Sequence, residues 1–227
     1  MPEPQIPESS LDFLKLLREN NNRDWFNEHK YVFTEEQARV EQFAGALLTA
    51  LNRYDVIETP GKKILHRIYR DTRFSKEKIP YKTNWSGNYK RAGKERRGGY
   101  YFHLEPGNSF VAGGFQAPNA PDLKLIREEI SFDASALRKI LNSKPFKQTF
   151  GTLQGEQVST APKGFDKNNE AIDLLRYKQF LLIRRFTDEQ VLSPSFLTEA
   201  VHTFRNMLPF FDYMSGILGS DGDGTAV

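Results

Sequence analysis

The stretch Gly99 to Phe115, GYYFHLEPGNSFVAGGF, restricts the fold more than any other segment of this chain. Two aromatic and β-branched runs, Gly99 to Glu105 and Ser109 to Phe115, flank Glu105-Pro106-Gly107-Asn108. Proline at the second turn position presets φ, and glycine at the third supplies the positive φ of a type II turn. The pattern predicts an antiparallel hairpin. Three more runs read as strands: Ile64 to Arg70, Lys82 to Tyr89 and the late Phe180 to Phe186.

Helical patterns lie on both sides. Leu11 to Arg18 shares a Leu11, Leu14, Leu17 face behind a capping-box-like Ser9 and Asp12. Arg23 to Phe26 predicts a short helix. A long one follows from a Thr34 cap to Tyr54, with Val40, Phe43, Ala44, Leu47, Leu48 and Leu51 as its buried stripe. Helices are expected again over Pro121 to Ile130, Ala134 to Leu141 and Glu170 to Tyr177. A last one runs from Ser193-Pro194 to about Leu218, kinked at Pro209. Helices, then adjacent strands, then helices with one late strand predict an α+β fold. Its sheet is mainly antiparallel, packed by N-terminal, middle and C-terminal helices. Residues 9–218 are expected to form one domain between a flexible extension, 1–8, and a flexible tail, 219–227.

Charge is unevenly spread over the 227 residues. Between Lys62 and Arg97 stand thirteen Lys and Arg against three acids, Asp71, Glu77 and Glu95, so the remainder is net acidic. A localised basic field of this kind steers anions to one face. With no cysteine there is no disulfide, zinc-thiolate site or Cys nucleophile. MPEPQIPESS lacks the basic start and apolar run of a signal peptide, and no stretch is apolar enough to span a membrane. A cytoplasmic protein with no membrane partner is expected.

The basic field centres on Ile64 to Thr83, ILHRIYRDTRFSKEKIPYKT. Guanidinium groups are permanently charged forks that match phosphate and carboxylate oxygens. Arg67, Arg70, Arg73, Lys76 and Lys82 are therefore candidate ligand-binding residues, with Asp71, Ser75, Tyr81 and Tyr101 beside them. Alternation in an unbroken strand would send Arg67 and Arg70 to opposite faces. A structural Arg–Asp network at the strand end would use the same residues. Phe74, Tyr81, Trp85 and Tyr89 are interleaved with the cations, as in grooves that hold single-stranded nucleic acid.

His103 and Glu105 form an H-x-E pair on one strand face, which makes His103 a candidate general acid or base. The zinc deaminases that carry H-x-E also need a P-C-x-x-C, which a chain without cysteine cannot supply. The four histidines show no H-E-x-x-H spacing, so no metal site is assigned, and no cofactor is implied. Phosphate-loop, dinucleotide and nucleophile-elbow motifs are absent from the sequence. Gly113-Gly114 would permit a bulge, a close ligand approach or a bend needed for packing. The run Lys90 to Gly98, KRAGKERRG, reads as a basic loop.

Taken together, NNNRDWF, RIYRDTRFSKEKIPYKT, GYYFHLEPGNSFVAGG, LLRYKQFLLIRRF and LSPSF make the chain, from about Leu11 to Leu218, resemble domain of unknown function 2461. The resemblance implies one compact domain with RIYRDTRFSK as its shared signature, and it brings no reaction. Three functional expectations result. The first is a basic pocket or groove for a phosphate-bearing or other anionic ligand, a small molecule or nucleic acid. The second is a metal-independent enzyme on a small phosphorylated or carboxylated substrate, with His103 moving the proton. The third is an interaction module whose 90–98 loop docks on an acidic partner.

Overall fold

A computed structural model describes residues 4–73, 76 and 78–219. The elements run α1 (Glu8–Glu19), α2 (Arg23–Glu28), α3 (Lys30–Leu51), β1 (Trp85–Lys90), β2 (Gly99–Leu104), β3 (Ser109–Phe115), α4 (Ala120–Phe132), α5 (Ser135–Asn142) and α6 (Lys144–Phe150). They continue as α7 (Ile172–Leu175), β4 (Phe180–Phe186), α8 (Asp188–Leu192), α9 (Phe196–Arg205) and α10 (Leu208–Leu218). The four strands form one antiparallel sheet in the order β1-β2-β3-β4, so the fold is α+β. Among the described residues no helix is long and apolar enough to cross a membrane.

The hairpin forms as its sequence requires. Gly107 has φ 76° and Asn108 N donates to Glu105 O at 2.9 Å, closing the type II turn. Strand β2 buries Tyr100, Phe102 and Leu104 on one face and leaves Tyr101 and His103 half-buried on the other.

Ile64 to Arg70 is not a ladder strand, and here the sequence expectation is corrected. The segment pairs only through two antiparallel bridges, Leu65 with Gly87 and Tyr69 with Tyr81. Four residue steps on one side therefore face six on the other, and the surplus bulges around Lys82 to Asn84. A bulge breaks the ladder and the side-chain alternation with it. Ile64 and Ile68 turn inward while His66, Arg67, Tyr69 and Arg70 are exposed.

Three helix boundaries also differ. Helix α1 starts at Glu8, within the expected extension, and Ser9 lies inside it. In α3 the N-cap is His29, and Thr34 Oγ1 donates back to Lys30 O at 2.9 Å from within the helix. The expected kinked C-terminal helix is two separate helices, α9 and α10, and Pro209 lies in the first turn of α10, where its missing N–H belongs to the unpaired donors. Helix α6, capped by Ser143 Oγ with a proline in its first turn, had no counterpart in the sequence reading.

The residues group into two compact units: Met1–Tyr89, Tyr101–Val111 and Arg185–His202 form one, and Lys90–Tyr100, Ala112–Arg184 and Thr203–Val227 the other. In the first, α3 buries Val40, Phe43, Ala44, Leu47 and Leu51, while Leu48 is half-buried. Phe43 stacks on Phe196 at 5.3 Å, and Phe26 stacks on Tyr81 at 4.0 Å. The buried carboxylate of Glu36 is matched by Ser10 Oγ and Arg39 Nη1, each donating at 2.6 Å. In the second unit, Tyr100, Phe204, Met207, Phe210, Phe211 and Met214 are fully buried.

The basic loop belongs to this second unit, and its ends are not solvated. Arg91 is 3% exposed, donates to Asp212 Oδ1 at 2.9 Å and to Arg97 O at 3.2 Å, and lies over the Phe211 ring. Arg97 pairs with Asp122. Burial of Arg91 and ion pairing of the half-buried Arg97 are structural uses of charge that sequence alone could not separate from a docking surface.

Candidate functional site

The signature segment is held by a residue sixty positions upstream. Because Tyr69 and Tyr81 form a non-hydrogen-bonded pair, the N–H and C=O of Tyr81 point away from the bridge. Asn21 meets both, its Oδ1 accepting from Tyr81 N at 3.1 Å and its Nδ2 donating to Tyr81 O at 3.0 Å. A carboxamide acts here as one more rung of sheet, and Asn22 Oδ1 caps α2 beside it. Asn21→Ala would strand both backbone groups of a buried residue. The expected loss is about 2 kcal/mol of unfolding free energy, measured by urea denaturation, with Asn22→Ala costing about 1 kcal/mol as a lost cap.

The site candidates separate into several environments. Tyr81 is 3% exposed and stacked, so its ring is part of the core. Trp85 and Tyr89 are buried too, and Phe74 and Ser75 lie outside the described residues. Asp71 grips Arg73 in a forked pair, Nε to Oδ1 at 3.0 Å and Nη2 to Oδ2 at 2.6 Å. Hydrogen bonds from Arg73 hold the Asp71 carboxyl below its usual value and raise the arginine correspondingly. Lys76 is exposed at the segment's tip.

Arg67 and Arg70 are exposed, and neither has an ion pair with a described residue. Lys82 is half-buried, and its pKa is lowered first by that burial and then by the positive charge of Arg67. Lys82 N donates to Ile68 O at 2.8 Å, which sets Lys82 beside the residue that follows Arg67.

A second cluster surrounds His103 on the outer side of β2. A carboxylate only accepts, so His103 Nε2 donates to Glu105 Oε2 at 3.2 Å, and Nδ1 is left to accept from Tyr101 Oη at 3.0 Å. Glu105 also accepts from Asn108 Nδ2 at 2.8 Å, Thr83 Oγ1 at 3.2 Å and Arg18 Nη2 at 3.3 Å. The His103 ring stacks on Phe110 at 4.7 Å and 14°, and Arg185 lies over that same phenylalanine. Neither Arg67 nor Arg70 hydrogen-bonds or ion-pairs with His103; the arginine that reaches the pair is Arg18. Sequence reasoning saw His103, Glu105 and Tyr101 but not the part played by Asn108 of the same turn, nor Arg18, Thr83 and Arg185, which arrive from three other segments.

Burial lowers the His103 pKa, outweighing the hydrogen bond and negative charge of Glu105. For Glu105, burial raises and the donors Asn108, His103 and Thr83 lower, with a net lowering. Both shifts act in one direction. The unfolded histidine takes a proton below about pH 6.5 while the folded one resists it, and the unfolded carboxylate takes one below about pH 4.3. Stability contributed by the pair is full above pH 6.5 and falls as pH drops, first through the histidine and then through the carboxylate. Unfolding at pH 7 and pH 5 checks this: His103→Asn is expected to flatten the difference, and an unchanged slope would refute it.

Among the described residues no group of three or more His, Asp or Glu side chains could hold a metal ion. No match was found among curated proteins or solved structures. A family model described as "Conserved hypothetical protein (DUF2461)" matches residues 9–213. That match spans the Asn21–Tyr81 clamp, both cation environments and the His103 cluster, and the chain belongs to the DUF2461 family.

Proposed function

We propose that this protein binds a small anion, phosphate-bearing or carboxylate, at Arg67 and Lys82. The observation that carries the reading is their placement: Lys82 N donates to Ile68 O at 2.8 Å, so Lys82 stands on the segment paired beside Arg67, and neither cation has an ion pair among the described residues. Such a pair is destabilising by itself and is relieved by a bound anion, which both groups can reach with charge-assisted hydrogen bonds. Arg70 extends the exposed positive surface, whereas Arg73 is neutralised by Asp71.

A small anion fits better than single-stranded nucleic acid. Tyr81, Trp85 and Tyr89 are buried and His103 stacks on Phe110, so among the described Phe, Tyr and Trp residues beside the cations Tyr69 alone offers an exposed ring, one stacking position rather than a series. Base stacking needs ring faces that are free. Proton transfer by His103 has weaker support, because both of its ring nitrogens are already hydrogen-bonded within the protein.

The test is an amide NMR titration with inorganic phosphate and, separately, acetate. Saturable shifts at Arg67, Ile68, Lys82 and Thr83 are expected, and Arg67→Gln with Lys82→Gln should remove them. Absence of saturable shifts in the wild type would overturn the proposal.

A further inference from the structure

Arg67 also lines a hollow of about 270 Å³ between α3 and the segment from Gly61 to Tyr69. Its apolar lining comes from Phe33, Leu65 and Ile68, with the half-exposed Tyr69 at one side. Helix α3 presents Phe33, Gln37 and Glu41 to it, three residues at intervals of four and hence on one face. Glu41 accepts from Gln37 Nε2 at 2.7 Å and has no ion pair with a described residue. One small hollow thus carries a cation and an anion that do not pair with each other.

We propose that the hollow between α3 and residues 61–69 takes a small zwitterion with an apolar body, an amino-acid-like molecule. Its carboxylate meets Arg67, its ammonium meets Glu41, and its apolar part covers Phe33, Leu65 and Tyr69. The inference rests on the reading of Arg67 as an anion-binding residue and narrows it. Volume supports the narrowing, since about 270 Å³ lies at the small end of the ~300–1,000 Å³ range of small-molecule pockets and favours a compact ligand. Charge supports it as well: Glu41 repels a phosphate dianion but attracts an ammonium group. A hydrophobic lining with a few polar groups at its rim is the usual chemistry of such sites.

The experiment compares L-phenylalanine with 3-phenylpropanoate, which lacks the ammonium, and 2-phenylethylamine, which lacks the carboxylate, by amide NMR titration of the full chain. Phenylalanine is expected to shift Gln37, Glu41 and Leu65 to Tyr69, and to bind more tightly than either analogue by up to about fivefold, the scale of one exposed ion pair. Glu41→Gln should abolish the preference over 3-phenylpropanoate, and Arg67→Gln the preference over 2-phenylethylamine, with both variants retaining the wild-type spectrum elsewhere. Equal binding of phenylalanine and 3-phenylpropanoate would overturn the zwitterion while leaving anion binding intact. Phosphate shifts at Lys82 with none from phenylalanine would do the same. Failure of phosphate and all three aromatic probes would remove both proposals together.

Discussion

Arg91→Ala is expected to lower the unfolding free energy by about 3 kcal/mol, combining a core cavity with the loss of charge-assisted hydrogen bonds. Arg91 is 3% exposed, while its partner carboxylate on Asp212 is 67% exposed. The cost therefore does not come from orphaning Asp212, which water can solvate. It comes from the space the guanidinium fills against Phe211 and from its bonds to Asp212 and the Arg97 carbonyl. Arg91→Met, which keeps most of the volume and buries no charge, should cost less than half as much, because desolvating a guanidinium offsets much of what its pairs contribute. Asp212→Asn should be mildest, at about 1 kcal/mol. Urea denaturation of the three variants gives the order, and equal losses for Arg91→Ala and Asp212→Asn would refute this account.

Gly114→Ala is expected to cost more than 3 kcal/mol or to prevent folding, from overpacking and backbone strain acting together. Gly114 has φ 130°, and a Cβ there would run into the carbonyl oxygen of Phe180 on β4. That oxygen belongs to backbone, so no side-chain rotation relieves the clash. A Cβ at the neighbouring Gly113 would lie 2.5 Å from Met207 Sδ and 2.8 Å from Phe211 Cζ, which are side-chain atoms, with the nearest backbone atom, Gly99 O, at 3.1 Å. Gly113→Ala should consequently be less damaging, about 1–3 kcal/mol. Of the roles open to Gly113-Gly114 in sequence, close packing within the second unit is the one these neighbours support. Thermal unfolding of both variants would discriminate: a milder Gly114→Ala than Gly113→Ala would contradict the backbone clash.

Parts of the fold were legible because the signals were local. The Glu105 to Asn108 turn, strand β4 and the Val40 to Leu51 stripe each depend on residues within a few positions of one another. Strand Ile64 to Arg70 failed because its partner has two residues too many, which depends on the other strand. The Thr34 cap failed because α2 and α3 nearly join at His29, so the chain is already helical when it reaches the threonine.

At the candidate sites the division is similar. Residue types alone made Arg67, Arg70 and Lys82 anion candidates, since a guanidinium is charged wherever it stands. Sequence could not tell that Asp71 neutralises Arg73, that Arg91 is buried, or that Tyr81 faces inward while Tyr69 stays half-exposed. It did not reveal Glu41 opposite Arg67 either, because they stand on a helix and a bridged segment 26 residues apart.

The sequence by itself determined the α+β class, the hairpin, the family and the position of the basic field. The class, the hairpin and the basic field follow from short-range periodicity, turn stereochemistry and fixed charge, and the family from the likeness of its motifs. Tertiary structure decided which cations are exposed and which are consumed inside the protein. Burial and ion pairing are set by partners distant in the chain, and an arginine's use depends on what it meets there.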